Sequence, residues 1–311
     1  MVSAHLAFVF PGQGSQKIGM LAELAAIYDV VEKTFAQASE VLGYDLWDLL
    51  QSGESDAINM TECTQPLLLT SSVAIWRVWQ QNEGLEPAFM AGHSLGEWSA
   101  LVCAGVVDFA DAVRIVQQRG KFMQEAVPAG QGAMAAIIGL ADDKIIEVCA
   151  EAAEGECVAA VNFNSPGQVV IAGTVAAVER AMALCKEAGA KRTLPLPVSA
   201  PFHTEMMRPA ADRLAGKIAT TIFYAPKIPI VHNVSAAVEL EPEAIKALMI
   251  EQIYRPVLWT DCVKALAGKG VTKLVECGPG KVLSGLAKRI DRSLAAYPAE
   301  TPEALEKALA S

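Results

Sequence analysis

Two short apolar runs, LAFVF at residues 6–10 and AFMAG at 88–92, each lead into a glycine-bearing turn and then into a helical pattern. Five apolar residues are too few for a buried helix and suit a strand covered on both faces, so each run reads as a strand that hands the chain to a helix. Strands alternating with helices commit a chain to a parallel sheet with helices packed against it. Helical patterns run through residue 50, from 65 to 81, and from the second turn to residue 125.

Between residues 127 and 201 the pattern changes, with VPAGQG at one border and PLPVSAP at the other. Inside, the order is strand 133–140, helix 142–154, strand 157–162, a turn at Ser165-Pro166-Gly167, strand 168–172, helix 175–188 and strand 191–197. That βαββαβ order is the ferredoxin-like unit. The expected fold class is therefore α/β: a domain with a parallel sheet formed by residues 1–127 and 201–311, and a small ferredoxin-like subdomain, 128–200, inserted into it. After the insertion come a helix at 205–220, a strand at 228–232, further helix, and a strand at 273–276 that enters GPGK.

The bulk composition narrows the function classes. A chain of 311 residues, 52 % hydrophobic and 19 % charged, can bury a large core with a closed cleft. No apolar run approaches the roughly 18 residues that span a bilayer. The start, MVSAHLAFVFPGQGSQ, lacks the basic region of a signal peptide, so a cytoplasmic protein without a membrane partner is expected. Seven cysteines form neither a CxxC pair nor a cluster with histidine, which reads as buried thiols in a reducing compartment with no metal site. A net charge of -10 argues against nucleic acid. Two short basic stretches remain, 186–192 and Lys281 with Lys288 and Arg289.

The second turn, AGHSLGEWSA, holds the GxSxG pattern with Ser94 at its centre. A serine between a strand and a helix, flanked by glycines, is the context of a nucleophile elbow; the plainer reading is an N-cap serine in an ordinary turn. A serine hydroxyl needs a base, and the chain has four histidines. His5 lies near the terminus, His93 is expected to pack beneath the elbow, and His232 ends a strand where a structural histidine fits as well. His203, in the Pro-containing loop SAPFHTEM after the insertion, is the favoured base. An oxyanion hole would take one backbone N–H from Leu95 and another from Gln13 in PGQGSQ. The same turn fails as a nucleotide loop, because Lys17 stands where GxGxxG needs its third glycine and Met20 and Leu21 follow Gly19. Arg119 stands out on its helix for its small and apolar neighbours, although a surface arginine is the commonplace reading.

Taken in order, FVFPGQGSQ, TQP at 64–66, GHSLGE, QRG around Arg119, NFNSPGQVVIAG, PVSAPFH and ECGPGKVL resemble the malonyl-CoA:acyl carrier protein transacylases, the acyltransferases of fatty acid synthesis. The resemblance spans nearly the whole chain. It implies a hydrolase-like domain with a ferredoxin-like insertion, and a ping-pong transfer in which Ser94 is acylated by malonyl-CoA and then deacylated by the phosphopantetheine thiol of acyl carrier protein. It implies His203 as base, Gln13 and Leu95 as oxyanion donors, Arg119 as the group that binds the malonyl carboxylate, and Gln252 as the residue whose main-chain carbonyl orients the histidine. Phe202 resembles the malonyl type, and Trp98, where the family often has Tyr or another aromatic variant, is read as a packing difference. No metal or bound cofactor is implied, since CoA and the carrier's arm are substrates, and a monomer is expected. Because the carrier of this family is acidic, Lys281, Lys288 and Arg289 are the expected docking surface. Glu97 is read as a favourable charge in the first helical turn. Asn162, Asn164 and Gln65 stay open between cleft and scaffold, with scaffold favoured. The rivals are a serine thioesterase or hydrolase, a non-catalytic carrier-binding module, and an acyltransferase serving a polyketide synthase.

Overall fold

The computed structural model describes residues 2–311, which fold as a mixed α/β protein. The strands in chain order are β1 (Val2–Phe10), β2 (Glu86–Gly92), β3 (Gly132–Ile138), β4 (Val158–Ser165), β5 (Gln168–Thr174), β6 (Arg192–Pro195), β7 (Ile230–Val231), β8 (Val238–Glu239), β9 (Lys273–Glu276) and β10 (Ala295–Pro298). They form two sheets, one ordered β10-β9-β1-β2-β7-β8 and the other β4-β5-β3-β6. In the first sheet every pairing is parallel except β7 with β8.

Alternation along β1 shows why this sheet is covered on both sides. Leu6, Phe8 and Phe10 enter one buried cluster with the helices Val30–Leu42 and Thr61–Gln81. Ala7 and Val9 enter another with the helices Trp259–Gly268 and Val282–Ile290. A strand with both faces buried has no polar positions to spare, which is why LAFVF reads as a continuous apolar run.

The second sheet is antiparallel and its elements follow in the order βαββαβ, with the helices Asp142–Ala152 and Val175–Glu187. Ala135, Ile137, Val169 and Ile171 pack against those helices. Met134, Val161, Val170 and Ala172 point the other way and join the core of the larger unit. Backbone bonds stitch the units together, from Phe163 N–H to the Val257 carbonyl at 3.0 Å and from Val257 N–H to the Val161 carbonyl at 2.8 Å.

Several elements differ from the sequence reading, and three show why. The helix expected from 95 to 125 is two, Leu95–Cys103 and Phe109–Glu125. Gly105 at φ 76° ends the first, and Asp108 caps the second by accepting from Ala110 N–H at 2.8 Å. The helix expected from 65 begins at Thr61, with Pro66 inside it. The strand expected over 228–232 shrinks to Ile230–Val231, because Pro229 has no N–H to give the ladder. Among the described residues no helix is long and apolar enough to cross a membrane.

Candidate active site

The turn after β2 is held by close backbone approach. A Cβ on Gly92 would fall 2.0 Å from the carbonyl of Gly96, and one on Gly96 would fall 2.0 Å from the Phe10 carbonyl oxygen. Only glycines let the helix Leu95–Cys103 start so near the ends of β1 and β2. Between them Ser94 adopts φ 51° and ψ -110°, a strained conformation that lifts its hydroxyl off the sheet. His203 is also strained, at φ 64°. Strain of this kind persists only where surrounding contacts overdetermine it, and here it falls on the two residues that meet.

Ser94 Oγ lies 2.8 Å from His203 Nε2. His203 Nδ1 lies 2.8 Å from the main-chain carbonyl oxygen of Gln252. A carbonyl only accepts, so Nδ1 carries the proton and Nε2 is left to accept from the serine. Burial pushes the imidazole pKa down to about 3, helped by the positive charge of Arg119 and opposed by the Gln252 carbonyl. A neutral imidazole on a serine hydroxyl is a general base in its working protonation state.

Arg119 is 1 % exposed and extends from the helix Phe109–Glu125 to the same point. Its Nη2 donates to Ser94 Oγ at 3.2 Å and to Gln252 Oε1 at 2.9 Å, and its Nη1 donates to Gln65 Oε1 at 2.9 Å. These partners are two amides and a hydroxyl, none of which neutralises the charge. Burial lowers its pKa to about 10 and the more distant Glu97 opposes that shift, so the group stays a cation. Its Nε finds no partner among the described residues. A buried cation with a free donor beside a nucleophile suits an incoming carboxylate.

Ser94, His203, Arg119, Gln13 and Leu95 line one cleft of about 120 Å³, together with Gln65, His93, Met123, Met134, Asn162, Leu196, Val198 and Phe202. Leu95 N–H belongs to the first helical residue, whose donor has no place in the helix ladder. Gln13 follows β1, and its side chain reaches Thr61 Oγ1 at 3.4 Å. Gln252 is buried behind the cleft instead of lining it. The sequence-assigned residues thus come together, with Gln252 one layer behind.

One sequence expectation is extended and another corrected: Glu97 stands in the first helical turn as expected, but it is not a solvent-facing charge. Glu97 is 1 % exposed, and its carboxylate accepts from His232 Nδ1 at 2.6 Å and from Gln252 Nε2 at 2.6 Å. The first two turns of its helix are buried all round, so a carboxylate there has no solvent face and turns to internal donors. His93 does not pack beneath the elbow; it stands partly buried on the cleft wall, its Nε2 2.7 Å from Asn164 Oδ1 and its ring 5.6 Å from that of Trp259. His232 is structural, as one reading had it, and Trp98 packs edge-on to Phe223.

The contacts also reveal what the sequence did not separate. Gln65 holds Arg119 and Asn162 faces the cleft with Oδ1 unpartnered among the described residues, whereas Asn164 serves His93. Asn233 was missed: its Oδ1 accepts from Ser94 N–H at 2.8 Å and its Nδ2 donates to the Gly92 carbonyl at 2.6 Å. No local spacing could have flagged a residue whose partners lie more than a hundred positions away.

This geometry agrees with the comparisons to known proteins. The sequence model of the acyl transferase domain matches residues 7–299. The chain belongs to the acyl transferase domain family. It is 61 % identical to the malonyl CoA-acyl carrier protein transacylase of Escherichia coli strain K12, over 98 % of this chain and 99 % of that protein. Its fold matches the crystal structure of an acyl carrier protein S-malonyltransferase from Vibrio cholerae with a TM-score of 0.96 at 59 % identity, over 97 % of this chain and 99 % of that one. A second similar structure, with a TM-score of 0.97 at 56 % identity over 98 % of this chain and 99 % of that one, is a malonyl-transacylase in complex with a type II polyketide synthase acyl carrier protein. The acyltransferase thus shares both fold and length with relatives named for malonyl transfer.

Proposed function

We propose that this acyltransferase moves the malonyl group from malonyl-CoA to the phosphopantetheine thiol of acyl carrier protein for fatty acid synthesis. The observation that carries the reading is the shared point of contact, with His203 and Arg119 both bonded to Ser94 Oγ. Ser94 Oγ attacks the thioester carbonyl as its proton passes to His203 Nε2, and the developing oxyanion meets the N–H groups of Leu95 and Gln13. The C–S bond breaks and the proton leaves with the CoA thiol. In the second half the carrier's thiol gives its proton to His203, attacks the malonyl ester, and the proton returns to Ser94 Oγ. Through both halves Arg119 holds the malonyl carboxylate. Thioester is exchanged for thioester, so neither a metal nor a resident cofactor takes part.

Residues 128–200 act as an inserted ferredoxin-like subdomain between the halves 1–127 and 201–311 of a hydrolase-like domain, a reading supported by the βαββαβ order and the strand sequence β4-β5-β3-β6. Lys281, Lys288 and Arg289 are exposed around the helix Val282–Ile290, and Arg289 bonds Gln168 of the insertion. They form the docking surface for the acidic carrier. The enzyme works as a cytoplasmic monomer. Intact-mass measurement after mixing with malonyl-CoA tests the core of the reading: a malonyl adduct should form and then clear on adding holo acyl carrier protein of fatty acid synthesis. An adduct that clears equally fast into water would make the protein a hydrolase instead. Reversing the charges of the three cations should raise the KM for carrier protein alone.

A further inference from the structure

We propose that Glu97 is a positioning residue for malonyl recognition, a buried carboxylate that fixes Arg119 and the Ser94 elbow through Gln252 and Asn233. This deepens the reading of Arg119 as the carboxylate clamp and rests on it.

Every reacting group is tied to Gln252 or Asn233. The Gln252 main-chain carbonyl accepts from His203 Nδ1–H, its Oε1 accepts from Arg119 Nη2, and its Nε2 donates to the Ser94 carbonyl at 2.9 Å. Asn233 holds Ser94 N–H and the Gly92 carbonyl. These two residues converge on one carboxylate. Glu97 Oε2 accepts from Gln252 Nε2 at 2.6 Å, and both oxygens face Asn233 N–H at 3.4 Å. His232 Nδ1 completes the set on Oε1.

The chemistry of the donors says why a carboxylate stands here. His232, Asn233 and Gln252 all present N–H groups, so the centre must be a group that only accepts. That requirement also sets the Gln252 amide: with its NH2 drawn to Glu97, its oxygen must face Arg119. Were the amide reversed, it would present N–H to a guanidinium that is itself only a donor. Glu97 therefore decides where the Arg119 fork points and, standing one amide away, supports its charge without neutralising it. A direct ion pair would occupy the fork and compete with the substrate carboxylate. In a buried network of this kind a half-satisfied member costs more than an absent one.

The test is the rate of acyl-serine formation, read by intact mass, with malonyl-CoA and with acetyl-CoA as the uncharged probe. Wild type, E97Q, E97D and Q252M are compared, each with a thermal unfolding curve. In E97Q the amide's NH2 faces other donors, and the malonyl-to-acetyl ratio should fall about 30- to 100-fold, the size of a lost hydrogen bond to a charged group. E97D keeps an acceptor-only centre and should recover most of the ratio. Q252M cuts Glu97 off from Arg119 while leaving the main-chain carbonyl to His203, and should lower the ratio as E97Q does. Equal loss of both rates in folded E97Q would make Glu97 scaffold only and overturn the proposal; if E97Q does not fold, an unchanged ratio in Q252M overturns it. A wild type without malonyl preference would instead remove the clamp reading of Arg119.

Discussion

The two walls of the cleft are built by opposite means. On the elbow wall Ser94, Arg119 and Gln65 are pinned by hydrogen bonds to one another and to the layer beneath, and the close backbone approach at Gly92 and Gly96 leaves no room for a Cβ. The facing wall, carried by the second sheet and the segment that follows β6, presents Met134, Leu196 and Val198, with Asn162 as its polar exception. A reaction needs fixed charges and dipoles at the atoms that change, whereas exclusion of water and of wrong shapes needs only apolar volume. The difference assigns chemistry to the first wall and steric selection to the second, which makes the assignment breakable by substitution on either side.

The largest effect is expected at Ser94. Ser94→Ala should abolish the malonyl adduct and lower transfer by on the order of 10⁴-fold or more, measured by intact mass and by carrier-protein loading. An adduct that survives would move the nucleophile elsewhere. Arg119→Ala comes next. Removing a buried, hydrogen-bonded cation should cost about 10² to 10³ in kcat/KM for malonyl-CoA while acetyl loading improves. If both acyl groups suffer alike, the elbow wall does not read the carboxylate.

How much of this was legible in the sequence differs between the walls for the same physical reason. The strands, the elbow and the βαββαβ order are local patterns, set by periodicity and by turns of a few residues, so LAFVF, GHSLG and the element order over 132–195 read correctly. Ser94 and His203 followed from local context plus the scarcity of histidines, and Arg119 and Gln252 from resemblance to a family. What failed was non-local. Glu97 looked like a helix-terminus charge because its partners His232 and Gln252 stand far along the chain, and nothing near it shows that its helix is buried all round. The long helix split at Gly105 because one positive φ outweighs good propensity on either side.

A third effect concerns pH. His203 is lowered from an ordinary 6.5 to about 3, mainly by burial and next by Arg119, so it remains a neutral base through pH 5. Acetyl loading by the wild type should therefore lack the acid limb near 6.5 that a free histidine gives. In Arg119→Gln, where the second cause is gone, the limb should move up. Stability follows by linkage: below 6.5 the unfolded chain binds a proton that the buried ring refuses, so stability is full above 6.5 and is lost as pH falls towards 3. An acid limb near 6.5 in the wild type would mean that the ring is solvated during turnover.

The smallest effect is expected on the apolar wall. Met134 is 5 % exposed and lines the cleft from β3, on the face turned away from the helices of its own unit. Met134→Ala enlarges the space facing the elbow without touching a hydrogen bond of Ser94, His203 or Arg119. The change removes Cγ, Sδ and Cε, and each methylene-sized difference in an apolar pocket is worth about tenfold or more in discrimination. Longer uncharged acyl groups should therefore load better by at least about tenfold, while malonyl, held by its charge on Arg119, changes by less than that. Competition between malonyl-CoA and butyryl-CoA, read as the ratio of the two adducts, measures this directly. A malonyl loss as large as that of Arg119→Ala would place recognition on the apolar wall and erase the division between them. A butyryl gain with malonyl nearly unchanged would confirm that this wall limits acyl length while the elbow reads charge.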